Sequence, residues 1–327
     1  MNYRTLGKTG LKVSEISLGT WQVGGKWGSD FNQKSAEEIL NTAIDNGVNF
    51  FDTADVYSNG LSEKTVGKVV RSRSEEVYIA TKCGRFLDPH TNDAYQVDVL
   101  RKFVENSLSN LGVDRIDLIQ LHCPPTEVYY RPEIFELFDK LIEEGKIRNY
   151  GASVAKVEEA LKAIEYPGVS TIQIIFNMFR QRPSELFFKE AKAKNVGIIA
   201  RVPLASGLLT GKFGKSSTFL KDDHRNFNRE GAIFDKGETF SGIDFELGLK
   251  AVDELKQLFP DQNLTHKALQ WILAFNEVSC IIPGASNVTQ LQSNLNLDSS
   301  SVISTPDMDK IRSIYENYIK NGVHHLW

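Results

Sequence analysis

The sequence predicts an α/β protein that closes as a (β/α)8 barrel, and three observations support this. Eight short apolar runs alternate with amphipathic stretches, a pattern typical of strand–helix–strand units and a parallel sheet. Most of the runs are almost continuously apolar, as expected of strands that are covered on both faces. The 327 residues, 41% of them hydrophobic, suffice for one large barrel domain over 1–327. A doubly wound sheet is the alternative.

The predicted elements alternate along the whole chain. The strands are 16–20, 49–54, 77–82, 116–122, 148–153, 171–177, 197–203 and 280–285. The helices between them are 34–47, 62–72, 96–112, 131–146, 154–165 and 182–195, and further helices are predicted at 244–259, 264–276 and 306–322. Several of these helices end in Gly or Asn, which are common C-cap residues.

Two segments fall outside this alternation. Residues 3–14, YRTLGKTGLKVS, predict a hairpin that caps one end of the barrel. Residues 206–243 form a long polar connection between the seventh and eighth strands. A connection of this length in a compact domain is usually either functional, such as a lid, or disordered.

The composition excludes several classes of function. A net charge of −4 provides no basic surface for nucleic acid or an anionic membrane. No apolar run approaches the roughly 18 residues of a membrane span, and the first residues do not resemble a signal peptide. The three cysteines, Cys83, Cys123 and Cys280, show no metal-binding spacing and fit free thiols in a reducing cytoplasm. By alternation, Cys83 and Cys123 are predicted to face away from the barrel interior.

Two glycine-containing stretches resemble the end of a phosphate-binding loop. Gly7-Lys8-Thr9 and Gly214-Lys215-Ser216 both lack the first glycine of that motif. No GxGxxG follows a predicted strand, so a Rossmann dinucleotide site is not supported. The six histidines suggest no metal cluster.

Polar side chains stand where three consecutive predicted strands end. Asp52 ends the second strand and Tyr57 follows it, Lys82 ends the third, and His122 ends the fourth. Catalytic residues of barrels lie at the carboxyl ends of strands, and neighbouring strands are about 4.8 Å apart. Each residue alone could have a structural role, but the four together predict a site. A lysine and an aspartate at a barrel mouth should pair, because an unpaired buried charge is costly.

These four groups suit protonation of an oxyanion that forms on a carbonyl. Tyrosine is protonated at neutral pH and can donate a proton. We expect the Lys82 ammonium to lower the pKa of Tyr57, Asp52 to hold Lys82, and His122 to orient the substrate oxygen. Carbonyl reduction also needs a hydride, which no side chain supplies, so a nicotinamide cofactor is implied.

An ordered series of motifs, from YRTLGKTGLKVSEISLGT through FDTADVY, IATK, DLIQLH and PLASGLLTGK to IPGASNVTQLQSN, resembles the aldo-keto reductases over almost the full chain. The branch it resembles includes bacterial members and the potassium-channel β subunits. The resemblance implies NADPH-dependent reduction of a small carbonyl compound, with Tyr57 as the proton donor of a tetrad completed by Asp52, Lys82 and His122. It leaves the oligomeric state open.

The resemblance also implies a set of NADP(H)-binding residues. They are Gly19, Thr20, Trp21, Ser153, Gln173, Arg201, Pro203, Leu204, Ser206, Lys212, Gly284, Ser286, Gln290 and Asn294. Val154 stands where many members have Asn, and Arg201 stands where the residue under the nicotinamide is often aromatic. A planar guanidinium can also stack. The start of the predicted helix NVTQLQSNL suits an anion, because helix N-termini present free N–H groups.

Two other functions remain open from the sequence. One is a protein that binds NADP tightly and turns over slowly, as a redox sensor or regulatory subunit. The other is a barrel lyase or isomerase that uses Tyr57 without a cofactor.

Overall fold

The chain begins with the predicted hairpin. In the computed structural model, which describes residues 1–25, 30–297 and 302–327, β1 (Tyr3–Thr5) pairs antiparallel with β2 (Lys12–Ser14). Leu6, Leu11 and Val13 pack beneath the barrel strands in one apolar cluster. Leu6 approaches the strand that begins at Gly197 so closely that a Cβ on Gly197 would lie 2.8 Å from the Leu6 carbonyl carbon. The hairpin therefore closes the amino-terminal end of the barrel.

Eight parallel strands follow, in sequential order around the sheet. They are β3 (Leu18–Gly19), β4 (Phe50–Asp52), β5 (Tyr78–Cys83), β6 (Ile116–His122), β7 (Ile147–Ser153), β8 (Val169–Ile175), β9 (Gly197–Arg201) and β10 (Val278–Ile281). The first and last of these meet through parallel bridges that join Ile16 to Ile281 and Gly19 to Gly284. Because the sheet returns on itself, the fold is a (β/α)8 barrel and the doubly wound alternative is wrong.

Helices lie between the strands and continue beyond the last one. They are α1 (Gln33–Asp45), α2 (Leu61–Arg71), α3 (Val97–Leu111), α4 (Pro132–Glu143), α5 (Val157–Ala163), α6 (Phe187–Ala193), α7 (His224–Phe227), α8 (Phe245–Leu258), α9 (Leu264–Leu273), α10 (Val288–Leu295), α11 (Thr305–Ile314) and α12 (Lys320–Val323). The single helix predicted over 306–322 is interrupted by a π-helical turn at Tyr315–Ile319. No helix in the described part of the chain is long and apolar enough to cross a membrane.

The side chains inside the barrel form an apolar layer and a polar layer. Successive residues of a strand face opposite sides. Phe50, Ala80 and Leu118 accordingly point inward to the apolar cluster above the hairpin. The next inward positions on the same strands are Asp52, Lys82 and Gln120. The apolar layer fills the lower barrel, and the polar layer lies at its carboxyl end.

The 206–243 segment is ordered by aromatic contacts and by short helical turns at Ala205–Thr210, His224–Phe227, Lys236–Glu238 and Phe240–Gly242. Phe213, Phe219, Phe240 and Phe245 form a cluster with ring centroids 5.0–6.4 Å apart. Trp327 contacts the segment at Asp235. Its Nε1 donates to Asp235 Oδ2 at 3.1 Å, and the Arg180 guanidinium lies 4.1 Å from its ring centroid.

Candidate active site

The structure brings all four predicted strand-end groups together. The Lys82 ammonium donates to Asp52 Oδ1, to the Thr53 carbonyl at 2.8 Å and to the Tyr57 hydroxyl at 3.4 Å. The rings of Tyr57 and His122 meet edge to face, with centroids 6.0 Å apart. Lys82 and Asp52 are only 1% and 2% exposed, so water contributes little to their solvation. The expected Asp52–Lys82 pair is confirmed.

The second oxygen of Asp52 is held by two amides. Oδ2 accepts from Gln173 Nε2 at 2.7 Å and from Gln120 Nε2 at 3.2 Å. With Lys82 on the other oxygen, the buried carboxylate is satisfied on both sides. A buried ion pair needs hydrogen-bond partners for its remaining polar atoms, because an unpaired charge in the barrel interior is strongly destabilising.

Tyr57 sits on a turn with a strained backbone. The Tyr57 N–H donates to the Ala54 carbonyl at 3.1 Å, and the three residues that follow all have positive φ: Ser58 at 47°, Asn59 at 54° and Gly60 at 81°. The left-handed region is unfavourable for residues other than glycine. This turn returns the chain to α2 while the phenol remains over the barrel mouth.

Burial dominates the titration of the site. It raises the pKa of Tyr57 above its ordinary value of 10.0, and the Lys82 charge opposes that rise without cancelling it. The expectation that Lys82 leaves Tyr57 with a lowered pKa is therefore wrong in its net effect. Burial also disfavours the Lys82 ammonium, but Asp52 and Tyr57 outweigh it and the pKa of Lys82 is raised.

His122 is neutral over the physiological range. Burial, supported by the charges of Lys82, Arg85 and Arg201, holds its pKa well below 6.5. Its Nδ1 is buried and has no hydrogen-bond partner within the described residues. The site thus presents a protonated phenol and an uncharged imidazole side by side.

A cavity of about 1200 Å³ opens above these groups. Asp52, Tyr57 and His122 line it, and so do twelve of the fourteen predicted cofactor residues. The twelve are Gly19, Thr20, Trp21, Gln173, Arg201, Pro203, Leu204, Ser206, Lys212, Gly284, Gln290 and Asn294. The other two, Ser153 and Ser286, do not line it but contact residues that do. Ser153 Oγ donates to Gln173 Oε1 at 3.4 Å, and the Ser286 hydroxyl donates to Gln290 Oε1 at 3.0 Å.

The predicted nucleotide residues occupy different parts of the cavity wall. The Trp21 ring packs against His224 at 4.9 Å, which joins the loop after β3 to the 206–243 segment. The Ser206 hydroxyl donates to the Glu238 carbonyl at 3.0 Å and accepts from the Phe240 N–H at 3.1 Å. Positive φ recurs at Val202, Ala205 and Ser206. Such strain is concentrated at functional sites.

Arg201 reaches into the cavity from the end of β9. Its Nη2 donates to the Val154 carbonyl at 3.1 Å and contacts Cys123 Sγ at 3.5 Å. Cys123 lines the cavity, so the expectation that it faces away is wrong. The reason is local: β6 ends at His122, and Cys123 has a φ of 48°, which breaks the alternation of the strand. Cys83 lies in the core outside the barrel, as predicted.

Several charged residues of the cavity wall were not anticipated from the sequence, and Arg85 and Glu238 are two of them. Glu238 Oε1 lies 3.6 Å from Arg201 Nη1 and 3.8 Å from Arg85 Nη1. Arg85 follows β5 by two residues, a position that the strand-end criterion could have included. Glu238 belongs to the irregular 206–243 segment, where no periodicity indicates which side chains face inward.

The fold and this site define a (β/α)8 barrel with a polar cavity at the carboxyl ends of its strands. The model of the aldo/keto reductase family matches residues 15–316, and the chain belongs to that family. It is an NAD(P)H-dependent oxidoreductase, and its family acts on small carbonyl compounds.

Similar proteins span nearly the whole chain. The aldo-keto reductase YhdN of Bacillus subtilis is 32% identical over 99% of this chain and 96% of its own. A probable voltage-gated potassium channel subunit beta of Arabidopsis thaliana is 29% identical over 97% of both chains. The structure of the glycerol dehydrogenase AKR11B4 from Gluconobacter oxydans has a TM-score of 0.79 and 26% identity, and the match covers 97% of this chain and 96% of that one.

Proposed function

We propose that this protein reduces an aldehyde or ketone to an alcohol with NADPH and that Tyr57 is the proton donor. The observation that carries the proposal is the Tyr57 hydroxyl, which lies 3.4 Å from the Lys82 ammonium and beside His122 at the base of the cavity. A bound nicotinamide would supply the hydride. The protein's own groups then deal with the charge that develops on the carbonyl oxygen.

Each group of the tetrad has a separate task in this proposal. The neutral His122 orients the carbonyl oxygen by a hydrogen bond, and Tyr57 passes its proton to that oxygen. Lys82 stabilises the phenolate that remains, and Asp52 fixes Lys82 in its charged form. The raised pKa of Tyr57 keeps the phenol protonated before the reaction. The adjacent Lys82 ammonium stabilises the phenolate that forms when the proton is transferred to the substrate oxygen.

The cavity wall fits a nicotinamide dinucleotide. Gln173 lines the base, where its amide suits a carboxamide, and the Ser153 hydroxyl behind it donates to the Gln173 Oε1. Arg201 has a buried Nε without a partner among the described residues, and its planar guanidinium could stack on a ring. At the other end, α10 begins beside Ser286 and Gln290, where free helical N–H groups suit a phosphate.

The choice of NADPH over NADH is part of the proposal. Lys212 lines the cavity and would attract the additional phosphate of NADPH, whereas Arg225 is already paired with Asp223 at 2.6 Å. The names of similar proteins point both ways. A Schizosaccharomyces pombe relative is named aldo-keto reductase yakc [NADP(+)], and an Escherichia coli relative is named NADH-specific methylglyoxal reductase. We also propose a cytoplasmic location, supported by the three free thiols.

Steady-state loss of reduced nicotinamide with an activated aromatic aldehyde tests the proposal. The assay compares NADPH with NADH for the wild type and Tyr57→Phe. We expect sustained turnover that is faster with NADPH and falls by about 10²- to 10⁴-fold in the variant, the usual contribution of a general acid. Cofactor fluorescence should show unchanged binding. Turnover that survives the substitution would remove Tyr57 from this role.

A slowly turning redox sensor is the second candidate. It is favoured by the similarity to a protein named a probable potassium channel subunit beta. In that case wild-type protein would bind NADPH tightly and oxidise about one equivalent before it stalls. Activity without any nucleotide would instead indicate the lyase or isomerase alternative.

A further inference from the structure

Arg85 is a guanidinium at the catalytic cavity with few partners. It follows Gly84, whose φ of 99° turns the chain inward after β5, and its side chain lines the cavity that Tyr57 and His122 also line. The side chain is 21% exposed. Its one ion pair within the described residues is with Glu238 at 3.8 Å, which is too long for a hydrogen bond. Five N–H donors are therefore largely available.

The charges around Arg85 leave one positive charge in excess. Glu238 also faces Arg201 at 3.6 Å, so one carboxylate serves two guanidinium groups. Asp52 is neutralised by Lys82. His122 and Tyr57 are uncharged at neutral pH because burial lowers the pKa of the first and raises that of the second.

The other acidic residues of the wall have partners other than Arg85. Glu159 is held by the Thr126 hydroxyl and by the N–H groups of Ala155 and Lys156. Asp235 accepts from Trp327 and from the Gly237 N–H, and its charge acts on the Arg180 and Arg201 guanidinium groups. Asp88 is exposed to solvent.

Apolar surface adjoins Arg85. Phe86 is 44% exposed, and Phe86, Leu87 and Pro124 line the same cavity. Exposed aromatic and aliphatic surface at a cavity favours contact with an apolar ligand body. The wall therefore offers an apolar face, a carbonyl-binding pair at the base and a cation at one side.

We propose that Arg85 determines substrate specificity by binding a carboxylate of the substrate. The favoured substrates are aldehydes or ketones that carry a carboxylate on an apolar or aromatic body. This inference rests on the proposed function, since the carbonyl of the same molecule must reach Tyr57 and His122. Arg85 provides binding and orientation, and the reduction itself is unchanged.

Paired substrates of nearly equal shape test this. The measurement is the ratio of kcat/KM for 4-carboxybenzaldehyde to that for its neutral methyl ester, methyl 4-formylbenzoate. A charge-assisted hydrogen bond to a carboxylate supports a preference of about tenfold or more for the acid. Arg85→Met should abolish most of this ratio, and Arg85→Lys should retain part of it because the charge remains.

For Glu238→Gln we expect the opposite change in the ratio of kcat/KM for the acid to that for the ester. Removing the carboxylate that competes for Arg85 should raise the ratio several-fold. Arg101→Met is the matched control, because Arg101 pairs with Glu144 outside the cavity and its loss should not change the ratio. Thermal unfolding of each variant confirms that it is folded.

The outcomes separate this inference from the function on which it rests. A ratio that falls in Arg85→Met and rises in Glu238→Gln supports it. A ratio that Arg85→Met leaves unchanged or raises overturns it, while turnover of the neutral ester still supports the reductase. Failure to reduce either aldehyde overturns both proposals.

Discussion

Removal of Lys82 should destabilise the whole barrel as well as impair the reaction. Lys82→Met leaves Asp52, which is 2% exposed, without its cation. Loss of one partner of a buried ion pair typically costs about 3–5 kcal/mol. Here the lower end applies, because Gln173 and Gln120 still donate to the other carboxylate oxygen at 2.7 and 3.2 Å. We expect a loss of about 3 kcal/mol in the free energy of unfolding.

The double variant shows whether that cost arises from the uncompensated charge. Asp52→Asn alone leaves the Lys82 ammonium buried with Thr53 and Tyr57 as partners. Asp52→Asn combined with Lys82→Met removes both charges. The double variant should therefore be less destabilised than the sum of the two single variants, by about 2 kcal/mol or more.

Urea-induced unfolding followed by fluorescence measures these differences. Lys146→Met is the matched control, because the Lys146–Glu105 pair is partly exposed, at 32% and 44%, and should contribute well under about 1 kcal/mol. Additive effects of the two single variants would refute the reasoning. A Lys82→Met protein as stable as the control variant would do so too.

Three further substitutions have distinct expected outcomes. Burial and the nearby Glu63 raise the pKa of Asp55 from 3.8 to about 7. The protonated carboxyl therefore contributes its full stabilisation of the fold below pH 3.8, and this stabilisation is lost as the pH rises through 7. Asp55→Asn should therefore gain stability relative to the wild type by roughly 2 kcal/mol between pH 5 and pH 8, and a pH-independent difference in urea unfolding would contradict this. Ser58→Gly should raise stability by about 0.5–1 kcal/mol because it relieves a φ of 47°, whereas the same change at Ser313 in α11 should lower it. Trp327→Ala should lower the melting temperature and weaken NADPH binding, since it frees the 235–242 stretch. Trp327→Phe should recover part of the melting temperature and part of the NADPH affinity. Wild-type NADPH affinity in the alanine variant would show that residues 235–242 do not affect nucleotide binding.

The strands were predictable because their signal is local. The run 116–122 coincides with β6 (Ile116–His122), where four apolar residues, Ile116, Leu118, Ile119 and Leu121, precede the polar end. Helix boundaries were less accurate. The helix predicted from residue 182 begins only at Phe187, after a 3-10 turn at Arg182–Ser184 that contains the proline.

The gathering of the tetrad was also predictable, since strand ends meet at one rim. Its electrostatics were not, because the pKa of Tyr57 depends on the depth of burial, which a sequence does not state. The same holds for Cys123, whose orientation depends on one backbone dihedral angle. From the sequence alone, residues 322–327, GVHHLW, could either help to form the wall of the substrate pocket or fray. They do neither, because Trp327 is buried against Arg180 and Asp235 outside the cavity. The cofactor roles and the single domain over 1–327 stay predictions.

The junction between β3 and β10 has a consequence for folding. Ser17 donates to the Ile281 carbonyl at 2.9 Å, and Gly19 donates to the Pro283 carbonyl at 3.2 Å, so segments from distant parts of the chain hold the barrel shut. Such contacts form late, because closing a long loop must precede them. Gly19 and Gly284, both predicted to contact the nucleotide, face each other across this junction. A ligand that contacts both glycines would bridge the amino-terminal and carboxyl-terminal parts of the chain. The last step of folding, which closes the barrel, would then also complete the binding site.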